Sequence, residues 1–138
     1  TGTDGSETLI LNDLLAANFT NCIIEGNQNI EFLLQKNEQA GFEFNFKNNL
    51  LRFVDAGGGF SDNPLYDFED INRYQNNIFN GEADFKNVNE NQFVIGAASD
   101  ANSNANVPAA QKVPFDLLGI NRVTSPDIGA YQHIIFEE

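Results

Sequence analysis

An all-β solenoid, a parallel β-helix of about three rungs, is what this sequence predicts, and three observations carry the prediction. Asn is the commonest residue, Phe follows at 13, and Met and Trp are absent. That mixture suits many short strands joined by Asn-rich turns. Phe42, Phe44 and Phe46 alternate with Glu43, Asn45 and Lys47, while Ile30, Phe32 and Leu34 share one face of another strand; period-two alternation marks a strand with one face buried. Finally, Asn21, Asn49 and Asn77 recur every 28 residues, each followed by two apolar positions, Cys22-Ile23, Leu50-Leu51 and Ile78-Phe79, with Phe46 and Tyr74 also in register. A repeat of that length holds three strands at about 3.3 Å per residue plus their turns.

Taken in order, the 138 residues divide as one domain into three stretches. Residues 1–18 form a lead-in segment, in which Leu11, Leu14, Leu15 and Phe19 fall at helical spacing behind Asn12 or Asp13, predicting a short helix over Asp13–Asn18. Residues 19–98 hold the rungs. Three consecutive glycines, Gly57 to Gly59, and Pro64 interrupt them and predict a loop at 55–70 leaving the second rung. Residues 99–138 are an Ala- and Asn-rich loop, Ser99 to Gln111, followed by a terminal cap. In a solenoid, one position repeated through successive rungs becomes a column. Asn21, Asn49 and Asn77 are candidates for a structural amide ladder at a corner, because Asn tolerates the left-handed backbone of a sharp bend. The alternative reading makes them ordinary turn asparagines.

Composition also excludes functions. Seven basic residues against 20 acidic ones give a net charge of −13, which repels nucleic-acid backbones and anionic membrane surfaces. No run of about 18 apolar residues occurs, so no membrane span is expected. Cys22 has no partner for an intrachain disulfide and reads as a core residue. His133 is the sole histidine and reads as a packing residue of the tail, which leaves no His-based triad. Gly57-Gly58-Gly59 lacks the Lys of a phosphate loop.

The most specific signal is Asp116-Leu117-Leu118-Gly119-Ile120-Asn121-Arg122 followed by Pro126-Asp127-Ile128-Gly129-Ala130-Tyr131-Gln132. It resembles the terminal motif of bacterial right-handed parallel β-helix proteins of the choice-of-anchor Q type, in a pectate-lyase-like superfamily. Asn21-Cys22-Ile23-Ile24-Glu25-Gly26 resembles a rung of the same proteins, and Ala83-Asp84-Phe85 with Asn91-Gln92-Phe93 resembles their last rung. Gln132 departs from the usual Glu, and Ala98-Ser99-Asp100-Ala101 from a common Ser-Pro-Ala stretch. The resemblance implies a right-handed solenoid and an extracellular or bacterial outer cell surface location, commonly in Bacteroidetes. It implies further rungs of the same parent chain as partners upstream, consistent with a trimmed or mature fragment lacking an initiator Met. Asp116 and Arg122 are then expected to form a charged pair pinning the cap across the open end of the stack, with Asp127 as second partner.

Candidate functional residues cluster at the long loop. Phe60, Tyr66 and Tyr74, with Phe68 and Asp67 beside them, offer aromatic faces and hydrogen-bonding groups suited to sugar rings. Asp62, Asp67, Glu69 and Asp70 are the carboxylates that a Ca²⁺ ion would take, although they match no Ca²⁺-loop spacing. No catalytic residue and no other cofactor is assigned. The expected function is a non-catalytic section of an exported or cell-surface β-helix protein contributing to polysaccharide binding. The alternatives are part of a polysaccharide lyase or hydrolase, with Arg52 or Arg73 near the carboxylates, and a purely structural stalk or cap of an adhesin.

Overall fold

A computed structural model describes residues 5 and 7–137. Its regular structure is mostly sheet, in short ladders that do not close around the chain. Strands β1 (Asn18–Thr20), β3 (Asn45–Lys47) and β5 (Tyr74–Gln75) pair in parallel, as do β2 (Ile23–Ile24), β4 (Leu50–Leu51) and β6 (Ile78–Phe79). Each pass of the chain therefore lays one strand in each sheet, with a two-residue corner between them. The corner opens on an asparagine in the left-handed region each time: Asn21 at φ 58°, Asn48 at φ 53° and Asn76 at φ 52°. Asn reaches that conformation more cheaply than other residues with a Cβ, and so stands where the strand turns from one sheet to the next.

The expected column of Asn21, Asn49 and Asn77 is off by one residue in the first coil. Cys22 bonds across to Asn49, 27 residues on, whereas Asn49 bonds to Asn77, 28 residues on. Asn21 therefore aligns with Asn48 and Asn76, and the ladder position reads Cys22, Asn49, Asn77. Asn49 Oδ1 accepts from the Cys22 N–H at 2.8 Å and its Nδ2 donates to the Phe19 carbonyl at 2.9 Å and to Asn77 Oδ1 at 3.0 Å. Asn77 repeats the pattern one coil later, accepting from the Asn49 N–H and donating to the Phe46 carbonyl. Each amide thus braces the corner of the coil before it. Cys22, half-buried, offers no amide and ends the ladder. Burial pushes its thiol pKa up, against a smaller opposing contact to the Thr20 carbonyl.

The two apolar residues after each corner face opposite ways, and both faces of the second sheet are covered. Leu51, with Ile24 and Phe79, joins a core of Phe44, Phe46, Phe53, Tyr66 and Tyr74. Through it runs a stack in which the Phe19 and Phe46 rings lie 4.7 Å apart and Phe46 and Tyr74 5.6 Å apart, nearly parallel. Leu50, with Ile23 and Ile78, packs the other way against Ala83, Ile95, Ala101, Ala105 and Ile128. The second core is thus made by the C-terminal third lying on the flank of the coils.

Three local expectations differ from the structure. Residues 13–18 form no helix. Leu14 bridges Phe42, and its N–H and carbonyl bond Gly41 and Glu43 of the next coil, bonds that a one-turn helix with its costly nucleus cannot match. Residues 85–95 make no parallel rung but an antiparallel hairpin, β7 (Phe85–Asn87) and β8 (Gln92–Ile95), around a tight turn that ends on Asn91 at φ 57°. The loop from Ser99 contains a short helix, α1 (Val107–Lys112), started by Asn106, whose side chain accepts the Ala109 N–H at 3.0 Å, and by Pro108 in its first turn.

Candidate functional site

The aromatics of the long loop face inward. Tyr66 is 8 % and Tyr74 3 % exposed. The Tyr66 hydroxyl accepts from the Leu34 N–H at 2.6 Å, and the Tyr74 hydroxyl donates to the Leu65 carbonyl at 2.6 Å. Phe60 lies edge-on to Tyr66 at 4.8 Å, and Phe68 packs on Phe79 at 4.3 Å. These rings fold the loop onto the core, so the expected sugar platform of Phe60, Tyr66, Tyr74 and Asp67 is not assembled: both tyrosines are buried and Phe60 is half-buried, while Asp67 alone is exposed. The fold rewards burying two tyrosines whose hydroxyls find backbone partners over leaving that apolar area wet.

The loop carboxylates do not converge either. Asp67 accepts from the Glu69 N–H, and Asp70 accepts from the Asn72 N–H while lying 3.8 Å from Arg73. Asp62 and Glu69 are exposed. Each of the two bonded groups closes a local turn, and among the described residues no three acidic, His or Cys side chains gather as a metal site. Arg73 places its guanidinium 5.1 Å from the centre of the Phe44 ring, and Arg52 pairs with Glu25 at 3.7 Å.

Asp116, Arg122 and Asp127 are all buried, but they do not form the expected charged pair. Asp116 accepts three backbone N–H bonds, from Leu118, Ile120 and Gln132, each at 2.8 Å. Arg122 donates to the Asp127 and Gly129 carbonyls at 2.8 and 2.9 Å. Asp127 accepts from the Ser103 N–H at 2.7 Å and from the His133 N–H and ring Nδ1 at 2.6 Å each. Backbone groups occupy both the carboxylates and the guanidinium. His133 is not a packed apolar-tail residue; its ring is 41 % exposed and anchored by Asp127. Gln132 uses its amide both ways, accepting from the Asp127 N–H and donating to the Ser125 carbonyl, and the second bond is one that an ionised Glu could not make.

This network lies along the flank of the first two coils, not across an open end. Asn106 and Asn21 exchange two bonds, at 2.6 and 3.1 Å, Asn48 donates to the Asn104 carbonyl, and the Gly129 N–H donates to the Asn21 carbonyl. Gly129, at φ +106°, sits so close that an added Cβ would meet Ile23 Cδ1 at 2.8 Å. The backbone conformation there favours glycine, and a Cβ would also require the Ile23 side chain to shift.

What the sequence reading missed is a groove between the first coil, the hairpin and this flanking segment. One part has a volume of about 530 Å³ and takes in Ile23, Glu25, Phe85, Phe93 and Tyr131, and past Phe85 and Phe93 it adjoins a second part of about 550 Å³ that includes Glu82. Phe93 is 45 % exposed and edge-on to Phe85 at 5.5 Å. The signal available was Phe93 itself, a large apolar residue directly after the polar run Asn89 to Gln92, but its closeness to Glu25 depends on a fold-back that the sequence does not announce. Desolvation pushes the Glu25 pKa up, with Arg52 opposing and the charges of Glu82 and Glu31 adding. A carboxyl raised on folding binds its proton more tightly in the native state, so stability falls as pH rises from the unfolded value through the folded one. Glu25→Gln is therefore expected to raise the melting temperature at pH 7 and to leave it unchanged at about pH 3, below the carboxylate range; thermal melts across that range check it.

Comparison with known proteins gave no match: no family model, no curated protein and no solved structure corresponds to the chain.

Proposed function

We propose that this chain is a non-catalytic section of an exported or cell-surface right-handed parallel β-helix protein, and that it contributes to polysaccharide binding through the groove beside Phe93. The observation that carries the architecture is the parallel register, in which Phe19, Phe46 and Tyr74 stack and the same left-handed asparagine recurs at each corner. Repetition of one geometry through successive coils is what a solenoid requires, and the terminal motif resembles that of such proteins. Among the described residues β1 and β2 each keep one unpaired edge, where upstream coils of a parent chain would continue the stack. Binding is supported by the groove, whose size suits a small-molecule or glycan segment and whose walls combine aromatic faces with carboxylates. The loop carboxylates lack the convergence that a Ca²⁺-dependent lyase needs.

The test is calorimetric titration with glycan oligomers of neutral, acidic and cationic character, paired with assays for new reducing or unsaturated ends. Saturable binding without product is the expected result; absence of binding to every glycan, or release of ends, overturns the reading. A structural stalk or cap of an adhesin is the second reading. It is favoured by the burial of Asp116, Arg122 and Asp127 in the flanking network, and it predicts that no glycan binds.

A further inference from the structure

We infer that the groove takes an amine-bearing glycan, a polymer of hexosamine units, and discriminates against uronates; this rests on the polysaccharide reading above. Sugar rings present C–H faces that pack on aromatic rings, and the groove supplies Phe93 and Tyr131, both accessible, with Phe85 behind Phe93. The charge around those rings is one-sided. Glu25 and Glu82 line the groove, no Lys or Arg does, and Glu31 adds its field to that of Glu25. Arg52 offsets one of these three charges, at 3.7 Å from Glu25. Glu82 is exposed and so is the carboxylate a ligand meets directly. A second cation, Lys86, lines a neighbouring recess that shares Phe93 and Tyr131 with the groove.

Such a surface favours a protonated amine twice over. An ammonium group is drawn to the negative face of an aromatic ring and to the carboxylates at the rim. A uronate carboxylate entering the same groove meets like charge at the rim and, at a distance, the chain's net −13. A neutral sugar keeps the ring stacking and loses the charge attraction. The expected order of affinity is thus cationic, then neutral, then anionic.

The test is calorimetry with three oligomers of equal length: deacetylated chito-oligosaccharide, its N-acetylated form, and oligogalacturonate. At low salt, Glu82→Gln is expected to weaken the deacetylated oligomer about fivefold and the acetylated one hardly at all, with the difference shrinking as salt screens the charges. Phe93→Ala is expected to weaken both by about tenfold. Glu38→Gln, which removes an exposed charge elsewhere, is expected to change neither, separating a local site from the general pull of an acidic protein. Tighter binding of oligogalacturonate, or a loss with Glu38→Gln equal to that with Glu82→Gln, overturns the inference while leaving polysaccharide binding in place. Failure of all three oligomers and of every other glycan overturns both.

Discussion

Phe46→Ala is expected to remove about 3–5 kcal/mol of stability, the usual loss when a buried aromatic is cut to a methyl. Phe46 is 2 % exposed and lies between the rings of Phe19 and Tyr74, with Phe32 and Phe44 at its edges. It therefore couples three coils, and the cavity cannot be closed by one neighbour moving. A domain of this size holds about 5–15 kcal/mol in all, so the variant is expected to unfold at much lower urea concentration or to be isolated unfolded. Phe46→Leu, which keeps most of the volume, is expected to fold with a smaller loss. Equal midpoints for wild type and Phe46→Ala would show that the stack contributes nothing.

Asp127→Ala is expected to cost about 2–4 kcal/mol by a different route. The residue is fully buried and accepts from the Ser103 N–H, the His133 N–H and the His133 ring. Removing it strands two backbone donors away from water, and an unsatisfied buried donor costs about 1–3 kcal/mol. Asp127→Asn keeps the shape and one acceptor, so it is expected to lose about half as much. Because this network holds the flanking segment and not the aromatic core, amide exchange is expected to speed up first at Ser103, Ile128 and His133. Uniform acceleration through β3 and β5 as well would mean that the two cores unfold as one unit.

The β character and the coil spacing were legible because they are written in local patterns. Phe42, Phe44 and Phe46 alternate, and Leu50-Leu51 and Ile78-Phe79 present an apolar residue to each side, as a strand covered on both faces must. The step of 27 residues between the first two coils was hidden, since Asn21 and Asn49 match in identity while Asn21 and Asn48 match in backbone. Only the positive φ distinguishes them. The helix expected over Asp13–Asn18 failed because the partners of Leu14 lie in another coil, beyond the reach of a local periodicity. The loop aromatics show the same limit: Tyr66 and Tyr74 have the composition of a binding face, and only the carbonyl and amide partners of their hydroxyls reveal that they are interior. The groove was illegible for the converse reason. Glu25, Phe93 and Tyr131 are far apart in sequence and meet through the fold-back of the last third of the chain.

The corner between the two sheets is two residues long in every coil, whereas the return paths between them, residues 25–44 and 52–73, differ by two residues, and the longer one carries Gly57, Gly58 and Gly59. A Cβ added at any of these three glycines meets nothing within 4 Å. Length variation is thereby confined to one side of the molecule, and that triple-glycine tip is the natural grafting point: a tag or foreign peptide spliced there would ride outside the stack, with both ends anchored and the coil register untouched.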